Sequence, residues 1–254
     1  MKSKENHKNM NTETLDKMKK MKFYGMFRAF KTSLESNQPQ NATPDQMIAH
    51  LIEAEWDERQ NRNIEMKVKN ARFRYKASME QMNYNTDRNL DKNNLMRFND
   101  CTFIEKNEVV LITGCTGIGK SYIASAIGHH ACSLGYRVIY FNVPKLFAKL
   151  KMAKADGSYI KEIAKIERQH LLILDDFGMQ PFDAQSRSAL MEIIEDRHGK
   201  GATIITSQVP VNLWHELIGE KTVADAILDR IVHSAHRLEL TGESLRKRQN
   251  IVSQ

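Results

Sequence analysis

The stretch "VVLITGCTGIGKSYIASAIGHHA", residues 109–131, decides the fold. It opens on an apolar run with the texture of a buried strand and closes on a segment whose apolar residues recur at helical spacing. Between them Gly114, Cys115, Thr116, Gly117, Ile118, Gly119, Lys120 and Ser121 match the pattern G-x-x-x-x-G-K-S/T in full, in the strand-then-helix context that the pattern requires. The residue types follow from what a phosphate needs. Glycines let backbone N–H groups turn inward with no Cβ in the way, and the helix that follows offers its positive end. Lys120 is placed to reach the β- and γ-phosphates and Ser121 to ligate Mg²⁺, so ATP and Mg²⁺ are the expected cofactors. At Cys115 the backbone matters more than the thiol.

Outward from this loop, short β-rich runs alternate with helical ones from about residue 100 onward: "YRVIYFNV", "HLLILDDFG", "ATIITSQ" and "HRLELTG" are separated by helical segments. Near-continuous apolar strands joined by helices predict a parallel sheet covered on both faces. A nucleotide site needs a carboxylate at the tip of a second strand, and "LLILDDFG" supplies two. Asp175 is expected to hold Mg²⁺ through water, and Asp176 to orient or deprotonate an attacking water. The run "ATIITSQ" ends on Gln208, whose amide is expected to contact the γ-phosphate or that water. Two late arginines, Arg230 in "DAILDRIVH" and Arg246 in "LTGESLRKRQ", are candidates for neutralising charge on the γ-phosphate, Arg246 within its own chain and Arg230 from a neighbour.

The first hundred residues have a different texture. Residues 1–98 carry nineteen basic and thirteen acidic side chains, a surplus of six, out of a net +7 for the whole chain. Phe23, Phe27, Phe30 and Leu34 predict an amphipathic helix interrupted or tightened near Gly25. Thr43, Pro44 and Gln46 read as a capping box that starts a second helix with a buried stripe of Met47, Ile48, Leu51, Ile52 and Trp56. Its later part is basic: Arg59, Arg62, Lys67, Lys69, Arg72, Arg74 and Lys76, with Phe73 and Tyr75 interleaved, are candidate contacts to a nucleic-acid backbone. Cys101, Cys115 and Cys132 form no C-x-x-C pair, so neither a disulfide framework nor a zinc site is implied. The N-terminus lacks the apolar core of a signal peptide and no run approaches a membrane span, which makes the cytoplasm the expected compartment, with no membrane partner.

Together these motifs resemble the IstB-like ATP-binding helper proteins of insertion-sequence transposition, AAA+ ATPases related to the DnaC-type helicase loaders. The resemblance runs from "MKFYGMFRAF" through "GCTGIGKS", "LLILDDFG", "IITSQVPVNLWHELIG" and "ADAILDRIVHSAHRLELTGESLRK". It implies that Asp175 and Asp176 stand for the family's Asp-Asp pair, Gln208 for sensor I, Arg230 for an arginine finger acting on a neighbouring subunit, and Arg246 for sensor II. It further implies a five-stranded parallel sheet flanked by helices behind a small all-α domain, with residues 1–75 binding DNA or a partner, 76–99 as linker and 100–254 as the AAA+ ATPase domain. The implied role is DNA-coupled ATP hydrolysis in a homo-oligomer that assembles on duplex DNA, remodels it, and recruits and stimulates an IstA-like transposase. A replicative helicase loader of the same lineage is the alternative. A small-molecule kinase would instead need an acceptor for the phosphoryl group, and an architectural DNA-binding protein would have no use for the acidic pair.

Overall fold

A computed structural model describes residues 2–36, 43–82, 84 and 89–245. The chain divides into two compact units at Met66 and Lys67. The N-terminal unit consists of α1 (Lys2–Lys20), α2 (Tyr24–Glu35) and most of α3 (Pro44–Ala71). The break between α1 and α2 falls at residues 21–23, where Lys22 takes a left-handed conformation (φ 61°) and the Phe23 N–H closes on the Met18 carbonyl at 2.8 Å. Gly25 has a different task from breaking the helix. A Cβ there would lie 2.2 Å from the Ala54 carbonyl oxygen, so its absence lets α2 approach α3 backbone to backbone. The buried Glu55 carboxylate accepts the Gly25 and Met26 N–H groups at 2.8 and 3.3 Å, serving the start of α2 in place of a local cap.

The second helix starts as its sequence specifies. The Thr43 N–H donates to Gln46 Oε1 at 3.0 Å and the Gln46 N–H to Thr43 Oγ1 at 3.4 Å, a reciprocal capping box. The expected buried stripe is corrected, however, because Ile48, Ile52 and Trp56 are exposed. Helical spacing marks a face of common polarity without saying whether the same chain covers it.

The second unit, from Lys67 onward, is a parallel five-stranded sheet flanked by helices. Its strands are β1 (Val109–Gly114), β2 (Val138–Asn142), β3 (Leu171–Phe177), β4 (Ala202–Ser207) and β5 (His236–Leu240), in the order β2-β3-β4-β1-β5. Short helices α4 (Lys92–Met96) and α5 (Thr102–Glu105) precede β1, and α6 (Lys120–Ser133) follows it. Then come α7 (Val143–Ala155), α8 (Tyr159–Glu167), α9 (Ala184–Arg197), α10 (Trp214–Ile218) and α11 (Lys221–Val232). Alternate side chains of each strand serve opposite faces. Val110, Ile112, Ile173 and Ile204 join α6 and the segment 71–104 in one core; Leu111, Leu172, Leu174 and Ile205 join α7 to α11 in the other.

The stretch 76–99, expected as a linker, belongs to the first of these cores. Ala77, Met79, Met82, Leu90, Leu95 and Phe98 are all buried in it, and the compact unit that holds the sheet begins at Lys67, inside α3. The apolar residues of this segment are spaced irregularly between polar ones, so no helix or strand period announces them. Phe73 shows how closely this segment packs: Gly128 of α6 has no Cβ because one would lie 2.5 Å from the Phe73 ring.

Candidate nucleotide site

The loop between β1 and α6 sits at the carboxyl end of the sheet, where open parallel sheets place their ligands. Gly119 caps α6 with φ 105° and Gly117 has φ 80°, conformations that side chains disfavour. A pocket of about 400 Å³ opens over this loop, lined among others by Thr116, Lys120, Ser121, Asp176 and Gln208. The C-terminal strap after β5 closes its far side: the Leu245 N–H donates to the Gly117 carbonyl at 3.0 Å, and Cys115 Sγ donates to the Gly242 carbonyl at 3.1 Å.

Lys120 is buried and its ammonium donates to the carbonyls of Gly114 and Cys115 at 2.7 and 2.9 Å. Burial lowers its pKa, with Asp176, Cys115 and Asp175 pulling the other way. Asp175 is completely buried at the tip of β3 and is held by hydroxyls. Ser121 donates to its Oδ1 at 2.7 Å, Thr206 to the same oxygen, and Tyr140 to Oδ2. Burial, then Asp175, raise the Tyr140 pKa, so the phenol stays protonated and donates.

Asp176 faces the pocket through an irregular strand end. The β3–β4 register shifts between Leu174 and Phe177, and Asp176 takes φ 62°. Such a bulge re-aims a side chain, at the cost of backbone strain that the surrounding structure must hold. Its N–H donates to Thr206 Oγ1 at 3.2 Å, while its Oδ2 accepts Asn142 Nδ2 at 2.8 Å and Arg74 Nη1 at 3.0 Å. Gln208 touches the phosphate loop directly, its Oε1 accepting the Thr116 hydroxyl at 2.6 Å.

The structure therefore brings Lys120, Ser121, Asp175, Asp176 and Gln208 into one cluster. Arg230 is elsewhere. It lies on α11 with its guanidinium on the Ala226 carbonyl (2.8 Å) and Glu195 (3.4 Å), beside Glu108 and Val109 at the opposite end of β1. Along six strand residues that is roughly 20 Å from the loop. Arg246 falls outside the described residues. Arg74, expected among the DNA contacts, has its Nη1 on Asp175 at 3.3 Å and on Asp176 at 3.0 Å, because the turn after α3 delivers it to the acidic pair. The rest of that cluster is divided. Arg59 and Arg62 pair with Glu55 and Glu58 in the N-terminal unit, while Lys69, Arg72 and Lys76 are exposed on the second unit and Lys67 is partly buried there.

Sequence reasoning missed Tyr140, Asn142, the strap at 242–245 and the place of Arg74 beside the acidic pair. Asn142 had a usable signal: it ends β2 in register with Asp175, so aligning strand ends finds it. The arrangement fits a magnesium nucleotide. Ser121 and Asp175 offer hard oxygen ligands, and Lys120 and the start of α6 offer donors to phosphate oxygens.

A profile of the IstB-like ATP binding protein family matches residues 16–253. An insertion sequence ATP-binding protein of Sinorhizobium fredii, y4pL, is 42% identical over 93% of this chain and 96% of its own length. The insertion sequence IS1162 ATP-binding protein of Pseudomonas fluorescens is 31% identical over 79% of this chain and 87% of its own. Among solved structures, the DnaC helicase loader superposes with a TM-score of 0.56 at 21% identity, covering 66% of this chain and 98% of the loader. Replication initiator DnaA bound to AMPPCP and single-stranded DNA gives 0.56 at 18% identity, over 72% of this chain and 56% of DnaA. These two likenesses show the AAA+ fold. No helix of the described residues is long and apolar enough to cross a membrane.

Proposed function

The chain belongs to the IstB-like ATP binding protein family, and from that premise we propose that it is a cytoplasmic, DNA-coupled ATPase that assembles on duplex DNA, remodels it and recruits and stimulates a partner IstA-like transposase. The observation that carries the reading is the acidic pair beside the phosphate loop: a protein that merely held ATP would need no carboxylate turned into the pocket by a strained strand end. The relatives' insertion-sequence names support the transposition context.

In this reading Lys120 leaves its loop carbonyls for the β- and γ-phosphates, while the N–H groups of residues 114–121 cradle the chain of phosphates. Ser121 and Asp175 would hold Mg²⁺, which when bound neutralises charge on the phosphate oxygens. Asp176 orients and accepts a proton from the attacking water, with Asn142 fixing its carboxylate, and Gln208 positions the γ-phosphate side of that water. Arg246 would act on the same site. Arg230, roughly 20 Å away along β1, serves the site of a neighbouring copy, which makes the homo-oligomer the active form. Arg59, Arg62, Lys67, Lys69, Arg72 and Lys76 supply phosphate contacts to DNA.

ATP turnover measured with and without duplex DNA, alongside mass by light scattering, tests this. Lys120→Ala should abolish nucleotide binding, whereas Asp176→Asn should bind ATP and fail to hydrolyse it. Equal loss of binding in both variants refutes the roles. Arg230→Ala mixed with Asp176→Asn should recover part of the turnover through interfaces that pair an intact pocket with an intact finger. No recovery in oligomers shown to mix refutes action between copies.

A further inference from the structure

Most of the groups that hold Asp175 and Asp176 come from the sheet and its connections: Ser121, Thr206 and Tyr140 on the first, Asn142 on the second. One comes from outside. Arg74, 101 positions before Asp175, reaches both carboxylates with a single Nη1, and among the described residues it is the one cation within ion-pair distance of the pair. Its backbone is fixed on both sides. Phe73 packs on Gly128 and on the His129 ring, centroids 4.3 Å apart, and Ala77 is buried in the core. Its side chain has room to move, being 41% exposed, with the guanidinium resting over Tyr75 at the mouth of the pocket.

The carboxylates that Arg74 holds are those that the proposed function gives to metal and water. A guanidinium on Asp175 and Asp176 and a divalent cation on Ser121 and Asp175 are opposed arrangements. The two cations would repel at short range beside a carboxylate that is shielded from water, where screening is weakest. A side chain that stabilises one of two arrangements shifts the balance by its differential interaction with them.

We propose that Arg74 is a positioning residue that competes with Mg²⁺: it clamps the acidic pair and must swing away before a magnesium nucleotide can settle, which sets the metal concentration at which the site loads. The inference rests on the nucleotide reading above. Arg74 thereby gates loading from a segment continuous with α3, so that the residues just before the sheet domain report on whether the acidic pair is engaged.

The test is binding of a fluorescent mant-ATP probe at fixed concentration while Mg²⁺ is titrated. Arg74→Gln should lower the Mg²⁺ midpoint about fivefold, the size of a partly exposed ion pair. Arg74→Lys, which keeps the charge but loses the stacked guanidinium, should lower the midpoint less than Arg74→Gln does. A second measurement needs no substitution. Phenylglyoxal labelling of Arg74, read by peptide mass spectrometry, should increase when mant-ATP and Mg²⁺ are added together. An unchanged or raised midpoint in Arg74→Gln, or labelling that does not rise, overturns the competition while leaving the nucleotide site standing. Failure of the unsubstituted protein to bind mant-ATP at any Mg²⁺ concentration overturns the nucleotide site, and the competition with it.

Discussion

Replacing Gly117 by Ala probes how the C-terminal strap and the phosphate loop depend on each other. Gly117 has φ 80°, where an L side chain costs roughly 1–2 kcal/mol. The added methyl would also lie 2.1 Å from Ser244 Oγ and 3.0 Å from Ser244 Cβ, so Ser244 must retreat by more than a rotamer change allows. Retreat stretches the Leu245 N–H to Gly117 carbonyl bond, now 3.0 Å, a loss of about 1 kcal/mol. The single variant should therefore lose about 2–3 kcal/mol of stability and bind nucleotide weakly, since the N–H groups of the loop lose their common aim. Ser244→Gly removes both obstructing atoms and restores the contact portion, leaving the φ cost. A double-mutant cycle by urea unfolding should show a favourable coupling of about 1 kcal/mol, with mant-ATP affinity partly restored. Strictly additive losses would refute the contact. Gly114→Ala is the control without rescue: its Cβ would lie 2.4 Å from the Leu240 carbonyl oxygen, a backbone atom that no side-chain deletion removes.

Three further outcomes follow from the packing and charge of the two units. Burial works against the charge of Glu55, but Arg59 and the Met26 and Gly25 N–H groups outweigh it and lower its pKa. Its contribution should be complete above the ordinary carboxylate value of 4.5 and disappear as pH falls through the depressed folded value; Glu55→Gln should remove this acid dependence and speed hydrogen exchange at the Gly25 and Met26 amides. Gly128→Ala places a methyl 2.5 Å from Phe73 and 2.9 Å from Ile173, so an overpacking cost of about 1–3 kcal/mol should exceed the gain in helix propensity of about 1 kcal/mol and lower the melting temperature. With Lys69, Arg72 and Lys76 exposed on the second unit as proposed duplex contacts, each should add about 0.9 to the log-log salt slope of duplex binding, so reversing Lys69 and Lys76 should flatten an anisotropy titration by about two; an unchanged slope moves the DNA surface elsewhere.

What was legible in the sequence was whatever local chemistry enforces. The phosphate loop, the capping box at Thr43 and the apolar strands each rest on interactions between residues a few positions apart, or on burial that a run of Val, Ile and Leu announces. The acidic pair was legible because strand ends of a parallel sheet converge, so "DD" closing an apolar run lies beside a loop that closes another. The bulge that separates the two carboxylates was not. Nothing in "LLILDDF" states that Asp176 takes a left-handed conformation while Asp175 stays buried, since that depends on how β3 meets Ser207 on its neighbour.

Composition does not tell apart the members of a run of like residues. The seven basic positions from Arg59 to Lys76 look alike in the sequence, yet three of them have acidic partners. Arg59 and Arg62 meet acids one helical turn earlier, and Arg74, two residues from equally basic neighbours, meets acids a hundred positions away. The difference lies in Arg72, whose left-handed conformation (φ 59°) ends α3 without a glycine and redirects the chain. Were α3 to continue for one more turn, residues 69, 72, 73 and 76 would share a helical face and Arg74 would point away from it. Instead the helix stops, Phe73 enters the core against Gly128, and Arg74 is carried to the carboxyl end of β3. One residue's backbone conformation thus decides whether a guanidinium belongs to a solvent-facing surface or to the acidic centre of the nucleotide pocket.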